Sequence, residues 1–247
     1  MIREPSASVL FEPAARPVAD LAGATAVVID AIRATTTIVA ALASGCRECL
    51  PYRTDAEVRA EAKRRRPGSV VTAGERLGLR IEGLDFNNSP SVMTPDNVGG
   101  RTLLLTTTNG TQAILDAAKA ETVLVAAMPN RRAVAGRVAA IGRRVVFLAA
   151  GTVGTVSCED TLVAGAVIEA LLEQAGGRAF HLEDSARVAL AAWWGGRDRL
   201  DEIFRQTWGG ADIHNHGLDA DLAVCRQVDT MDVVPVVRGQ PPVITAG

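Results

Sequence analysis

Ala24-Thr-Ala-Val-Val-Ile-Asp30-Ala-Ile-Arg33-Ala-Thr35-Thr36-Thr37 decides the reading of this chain. Its apolar first half reads as a buried strand that ends at a carboxylate, and a helical pattern starts a few residues on. One strand-to-helix turn thus collects an acid, a guanidinium and three hydroxyls. In open α/β sheets ligands bind outside the carboxyl ends of the strands, so chemistry is expected at this turn. Asp30 can hold a hard cation or cap the helix that follows; Arg33 and helix-start amides can hold an anion.

Working outward, apolar runs alternate with helical patterns. Strands are expected at 24–30, 48–52, 69–72, 102–107, 122–126 and 144–149, and helices at 35–44, 54–65, 111–118, 131–141 and 159–174. Such alternation predicts an α/β fold, a three-layer α/β/α arrangement with a largely parallel sheet covered on both faces. The C-terminal third reads as a helical portion, with short helices at 185–194, 198–207 and 218–228. The pairs Gly195-Gly196 and Gly209-Gly210 read as helix stops. The tail, 232–239, reads as an edge strand. No repeat or low-complexity linker divides the chain, so 1–247 is expected to be one domain with its core at about 24–235.

Composition narrows the function classes. The chain has 247 residues, 48% hydrophobic, with a net charge of −2 and a pI near 6.0, which gives no reason to expect nucleic acid or an anionic membrane as partner. No apolar run reaches the roughly 20 residues of a membrane span, and Met1-Ile-Arg-Glu lacks the pattern of a signal peptide, so a cytoplasmic location is expected. Cys46, Cys49, Cys158 and Cys225 are then expected to be reduced. Tryptophans in the C-terminal helices leave room for a homo-oligomer.

Polar clusters recur where the strands end: Asp30 to Thr37; Gly74-Glu75-Arg76, running on to Glu82-Gly-Leu-Asp-Phe-Asn-Asn88-Ser89-Pro90; Thr106-Thr107-Thr108-Asn109-Gly110-Thr111; and Ala150-Gly-Thr152 through Ser157-Cys-Glu159-Asp160. Each alone could be a helix cap or loop polarity. Together they can face one crevice. Asp30, Glu159 and Asp160 offer three carboxylates suited to Mg²⁺. Helix starts near Thr35 and Gly110 offer amides and hydroxyls to a phosphate, and Arg33 and Arg76 can meet further anionic groups. Carboxylates for a metal beside donors for an anion suit metal-assisted phosphoryl transfer to water.

These segments, in this order and spanning about 24–235, resemble the 2-phosphosulfolactate phosphatase (ComB-like) family, with a further family-like stretch from Asp221 to Pro235. The resemblance implies a Mg²⁺-dependent hydrolase that converts (R)-2-phospho-3-sulfolactate to 3-sulfolactate, a step of coenzyme M synthesis in methanogens. Many bacteria that make no coenzyme M carry such sequences, so another small acidic phosphoester is the alternative substrate, and a non-catalytic binder of an anionic metabolite the alternative function. In the catalytic reading Asp30, Glu159 and Asp160 hold Mg²⁺, Arg33 and the Thr107–Thr111 turn (Thr107, Thr108, Asn109, Gly110, Thr111) stabilise the transferring group, and Glu75 positions water. Thr35, Thr36, Arg76, Asn88 and Ser89 complete the substrate contacts. An aspartyl-phosphate route through Asp30 competes with direct water attack; Ile at position 32, where the best-known enzymes of that route place a second Asp, favours water.

Rival sites are weaker. Cys46-Arg-Glu-Cys49 has redox or zinc spacing but no partner motif, and packing is the expectation for Cys158 beside its acids. His214-Asn-His216 with Asp212 reads as a polar helix terminus more readily than a metal site. No GxxxxGK[ST] loop and no strand-borne GxGxxG occurs, so neither P-loop nucleotide chemistry nor a dinucleotide cofactor is supported. Trp193, Trp194 and Trp208 are expected to anchor helix packing or a subunit contact.

Overall fold

A computed structural model describes residues 5–18, 20–176 and 179–247. The strands are β1 (Ser6–Leu10), β2 (Thr25–Ile29), β3 (Glu48–Tyr52), β4 (Val70–Arg76), β5 (Leu79–Arg80), β6 (Thr102–Thr106), β7 (Thr122–Ala126), β8 (Val145–Ala149), β9 (His181–Leu182), β10 (Pro235–Arg238) and β11 (Val243–Ala246). The α-helices are α1 (Ala34–Ala43), α2 (Asp55–Arg64), α3 (Pro95–Val98), α4 (Gly110–Ala117), α5 (Arg131–Ile141), α6 (Cys158–Gln174), α7 (Asp184–Gly196), α8 (Leu200–Gln206), α9 (Trp208–Asn215) and α10 (Asp219–Cys225).

The strands form a single sheet in the order β5-β4-β6-β3-β11-β10-β7-β2-β8-β1-β9. Two sets within it are parallel, as the sequence predicts: β4-β6-β3 and β7-β2-β8-β1-β9. The β10–β11 hairpin stands between them and pairs antiparallel with β7 on one side and β3 on the other, so the two sets run in opposite senses along the sheet. Strands β2, β6 and β8 are buried throughout, which is why they read as unbroken apolar runs.

Helices cover both faces in the three-layer arrangement. Helices α5, α6 and α7 pack on one face through Val134, Val163 and Leu190 against Leu124 and Phe147, while α2 sets Val58 against Leu50 and Leu104. On the other face the sheet curls around α1 and α4. Ile38 and Ile114 share one cluster with Val28 and Val125 from the first set and Leu103 and Leu105 from the second. Each such side chain contributes about 1.5–3 kcal/mol when fully buried. This curl brings the ends of β2, β4 and β6 together although the sets oppose one another.

The structure corrects three expectations. Strand β10 lies inside the sheet, not at its edge; Pro235, which has no N–H to give, is tolerated as the strand's first residue. Gly195 and Gly196 do end α7, as expected, but Gly209 and Gly210 lie within the first turn of α9 and stop no helix. The reason is close approach: a Cβ at Gly210 would lie 1.6 Å from the Phe204 carbonyl oxygen. The sheet also reaches past 24–235, taking in β1 and β11. Among the described residues no helix is long and apolar enough to cross a membrane.

Candidate active site

The turn after β2 is knotted by its own threonines. Thr35 Oγ1 donates to the Asp30 carbonyl (2.8 Å) and accepts from the Asp30 N–H (3.1 Å), and Thr36 Oγ1 donates to the Ala31 carbonyl (2.8 Å). Both hydroxyls are fully buried and committed, so they shape the turn and do not face a ligand as expected. Asp30 Oδ1 accepts from the Ala34 N–H at 3.3 Å. Burial is the main reason the Asp30 carboxyl is raised to about 7, with the charges of Glu75 and Glu159 pushing the same way and the Ala34 bond and Arg33 opposing.

Strand β4 carries Glu75 and Arg76 to the same end. Glu75 Oε1 accepts from the Thr108 N–H (2.6 Å), and its Oε2 from the Gly78 N–H (3.0 Å) and Thr108 Oγ1 (3.2 Å), so this carboxylate fastens β4 to the turn before α4. Thr107 and Thr111 bond one another: the Thr111 N–H donates to Thr107 Oγ1 and Thr111 Oγ1 to the Thr107 carbonyl. Gly110 explains the Asn-Gly pair. A Cβ there would stand 2.4 Å from Ala34 Cβ and 2.5 Å from Asp30 Oδ2, so only glycine lets the start of α4 approach Asp30. Arg76 turns away from the crevice, donating to Arg53 O and Thr106 Oγ1, and is not placed to meet substrate as predicted.

Arg33 is buried, and its charge is met by a residue the sequence reading left out of the site. Its Nη1 lies 2.7 Å from Asp221 Oδ2, and its Nη2 donates to the Gly78 carbonyl at 2.9 Å. The second Asp221 oxygen accepts from Ser89 Oγ and Ser91 Oγ, each at 2.6 Å. Ser89 is therefore a support for Asp221 and not a ligand-facing group. Helix α10 thus pins the guanidinium and the Ser89–Pro90 segment at once.

The expected metal triad does not assemble as a ligand set. Ser157 caps α6 by accepting from the Asp160 N–H, which sends the Asp160 carboxylate inward. There Oδ1 accepts from the Ala31 N–H (2.8 Å) and Oδ2 from the Gly151 N–H (3.0 Å). Both oxygens tie β8's exit to the Asp30 turn. Burial, then the nearby charges of Asp30 and Glu159, hold the Asp160 carboxyl well above the usual range. Glu159 is also raised, chiefly by burial, and faces an adjoining recess beside Cys158 and Trp208. Among the described residues no group of three or more His, Cys, Asp or Glu is arranged to hold a metal ion. His214 and His216 instead pair with Asp219 and Asp212.

At this convergence lies a cavity of about 180 Å³. From the sequence-predicted set it takes in Asp30, Arg33, Glu75, Asn88, Thr108 and Asn109; the others stand behind it or beside it. Asn88 Oδ1 is buried and has no hydrogen-bond partner among the described residues. The sequence does not point to the remaining lining residues, which include Ile32, Leu77, Val153, Trp208 and Ile213, with Asp212 among them. Trp208 is thus a wall of the cavity and not a packing anchor, whereas Trp193 does pack, donating its indole N–H to Glu169. The Thr207-Trp208-Gly-Gly sequence carried a readable signal, since Thr207 caps α9 by accepting from the Gly210 N–H.

An α/β enzyme working at the strand ends is what this layout defines. Comparison with known proteins supplies the particular family. The family model for 2-phosphosulpholactate phosphatase matches residues 11–240, and the chain belongs to that family of phosphoric monoester hydrolases. A probable 2-phosphosulfolactate phosphatase of Synechococcus sp. (strain RCC307) is 38% identical over 214 residues, covering 85% of this chain and 87% of the relative. Relatives of the same description in Clostridium novyi (strain NT) and Clostridium botulinum (strain Eklund 17B / Type B) are 36% and 33% identical, with 85–86% of this chain and 88% of each relative covered.

Proposed function

We propose that this enzyme is a Mg²⁺-dependent, cytoplasmic phosphatase of small acidic phosphoesters, with 2-phospho-3-sulfolactate, the compound in the relatives' names, as the reference substrate. The observation that carries the metal requirement is the excess of carboxylate at the cavity. Asp30 and Glu75 line it and Glu159 adds its field, while Arg33 is already matched by Asp221. An anionic phosphoester entering this field needs a compensating cation. The donor types suit a hard one: the Asp30 carboxylate and, on the lining of the same cavity, the neutral Asn88 Oδ1, which has no hydrogen-bond partner among the described residues. A bound Mg²⁺ supplies Lewis-acid polarisation of the phosphoryl oxygens and offsets the carboxylates.

This chain's own residues then do the following. Asp30 serves the reacting centre, taking a proton from attacking water or accepting the phosphoryl group. Direct attack by water is preferred, because position 32, from which a second acid could serve the leaving group, is Ile32. In either route the phosphorus–ester oxygen bond breaks, water supplies the new oxygen, and a hydroxy acid and inorganic phosphate leave. Asn109 and the start of α4 face the anion. Glu75 acts as a positioning residue, holding the Thr108 turn in place. The unpaired thiols of Cys46, Cys49, Cys158 and Cys225 support the cytoplasmic assignment.

The test is phosphate release from 2-phospho-3-sulfolactate and from a panel of phosphorylated hydroxy acids by EDTA-treated protein, with and without Mg²⁺. Release that depends on Mg²⁺ is expected for at least one member. Equal release in EDTA would overturn the metal requirement, and none in either condition would favour a binder of anionic metabolites.

A further inference from the structure

Asp221 stands one side chain back from the cavity, and its two oxygens reach the supports of two groups that line it. On the phosphatase reading just given, we infer that Asp221 is a positioning residue for the reaction: it aims the Arg33 guanidinium at the transferring phosphoryl group and fixes how far Arg33 stands from Asn88.

The geometry carries this in two halves. Asp221 Oδ2 accepts from Arg33 Nη1 at 2.7 Å, while Arg33 Nη2 donates to the Gly78 carbonyl at 2.9 Å and lies 3.4 Å from Asn87 Oδ1. A guanidinium is a rigid plane of N–H donors, so holding two of its nitrogens sets the direction of them all. Arg33 lines the cavity and Asp221 does not. The other oxygen, Oδ1, accepts from Ser89 Oγ and Ser91 Oγ, each at 2.6 Å, and from the Ser91 N–H at 3.2 Å. Those bonds fasten the chain directly after Asn88, which also lines the cavity. Arg33 follows β2 and Asn88 follows the edge strand β5, so one carboxylate on α10 sets the spacing of two cavity groups that arrive from separate parts of the sheet.

Stability alone does not account for the arrangement. The Arg33 and Asp221 side chains are 2% and 1% exposed. At that depth the loss of water by both charges commonly outweighs their attraction, and an apolar pair of similar volume often holds a fold as well or better. Nor does the pair add net charge to the site. It supplies direction: donors fixed in advance where negative charge gathers on the phosphoryl oxygens, with no rearrangement needed as the reaction proceeds. That contribution falls on the transition state, so its loss appears in kcat more than in KM.

A double-mutant cycle tests this in the full chain with Mg²⁺ present, on 2-phospho-3-sulfolactate or whichever phosphorylated hydroxy acid the unaltered protein turns over fastest. Asp221→Asn keeps an oxygen for the two serines and removes the charge that holds the guanidinium. Its kcat is expected to fall about 10–100-fold, the scale of a misplaced catalytic group, with KM within about threefold of the parent's. Arg33→Lys keeps the charge but not the planar donors, and its kcat is expected to fall on the same scale. Added to Arg33→Ala, Asp221→Asn is expected to change kcat by no more than about twofold, because the group it positions is gone. A purely structural Asp221 would lower activity alike in both backgrounds. Parent-like kcat in Asp221→Asn or in Arg33→Lys, or losses that multiply in the double variant, would overturn the inference; the two single variants decide it even if Arg33→Ala folds poorly. The phosphatase reading fails separately, in the unaltered protein, which would then release phosphate from none of the compounds, and this inference would fall with it.

Discussion

Asp30→Asn is expected to abolish turnover while making the metal-free protein more stable, and the pH dependence of that gain tests the electrostatics of the site. The Asp30 carboxyl titrates near 3.8 in an unfolded chain and at about 7 in the fold. The folded state therefore holds this proton more tightly. Stability is fully present below the unfolded value, is lost as pH rises through the window between the two, and levels off above the folded one. A shift of this size corresponds to about 4 kcal/mol. Asparagine keeps an oxygen for the Ala34 N–H and carries no charge, so the variant escapes the loss. It also removes a charge that raises Asp160, an effect of the same sign. In EDTA the variant should match the parent near pH 4 and exceed it by up to about 4 kcal/mol near pH 8, roughly 10 °C in melting temperature for a chain of this length. Thermal melts across that range read it out. A difference that does not change with pH, or a variant less stable at high pH, would refute the assignment of a desolvated acid to position 30.

Other perturbations probe the frame. Asp221→Ala leaves Arg33 buried without its partner and should cost about 3–5 kcal/mol; a melting temperature within a degree or two of the parent would show that water or Gly78 replaces the carboxylate. Gly165→Ala places a Cβ 2.0 Å from the Ala189 carbonyl oxygen, where α6 and α7 meet backbone to backbone. It should cost at least the ~1–3 kcal/mol typical of an overpacked core, and an unshifted denaturation midpoint would mean that the two helices separate more readily than their packing suggests.

Much of the fold was legible because buried strands and helix starts write themselves locally. The run read at 24–30 holds the fully buried strand Thr25–Ile29, and 131–141 shows its helix in full. What the sequence could not show was which polar groups would be satisfied by one another. Thr35 and Thr36 read as ligand hydroxyls, yet their partners are backbone carbonyls five residues back. Asp160 reads as a metal ligand, yet two distant amides, at Ala31 and Gly151, claim it. Asp221 was invisible for the converse reason: its function comes from contacts with Arg33 and Ser89, far away in sequence. Trp208 and the Gly209-Gly210 pair misled because glycine at a helix start looks like glycine at a helix end until the neighbouring backbone is known.

The β10–β11 hairpin gives the molecule a seam. Its two strands find partners more than a hundred positions earlier in the chain, Val236 beside Leu124 and Ile244 beside Cys49. Until it docks, β7 and β3 each present an open edge, the form of strand most able to recruit another chain. Closing so distant a pairing is slow compared with forming the local β-α units on either side. Concentration during refolding should therefore govern the yield of native enzyme far more than temperature or denaturant history, and a peptide spanning residues 233–247 added in excess should compete for the gap and trap a state with its two halves unjoined.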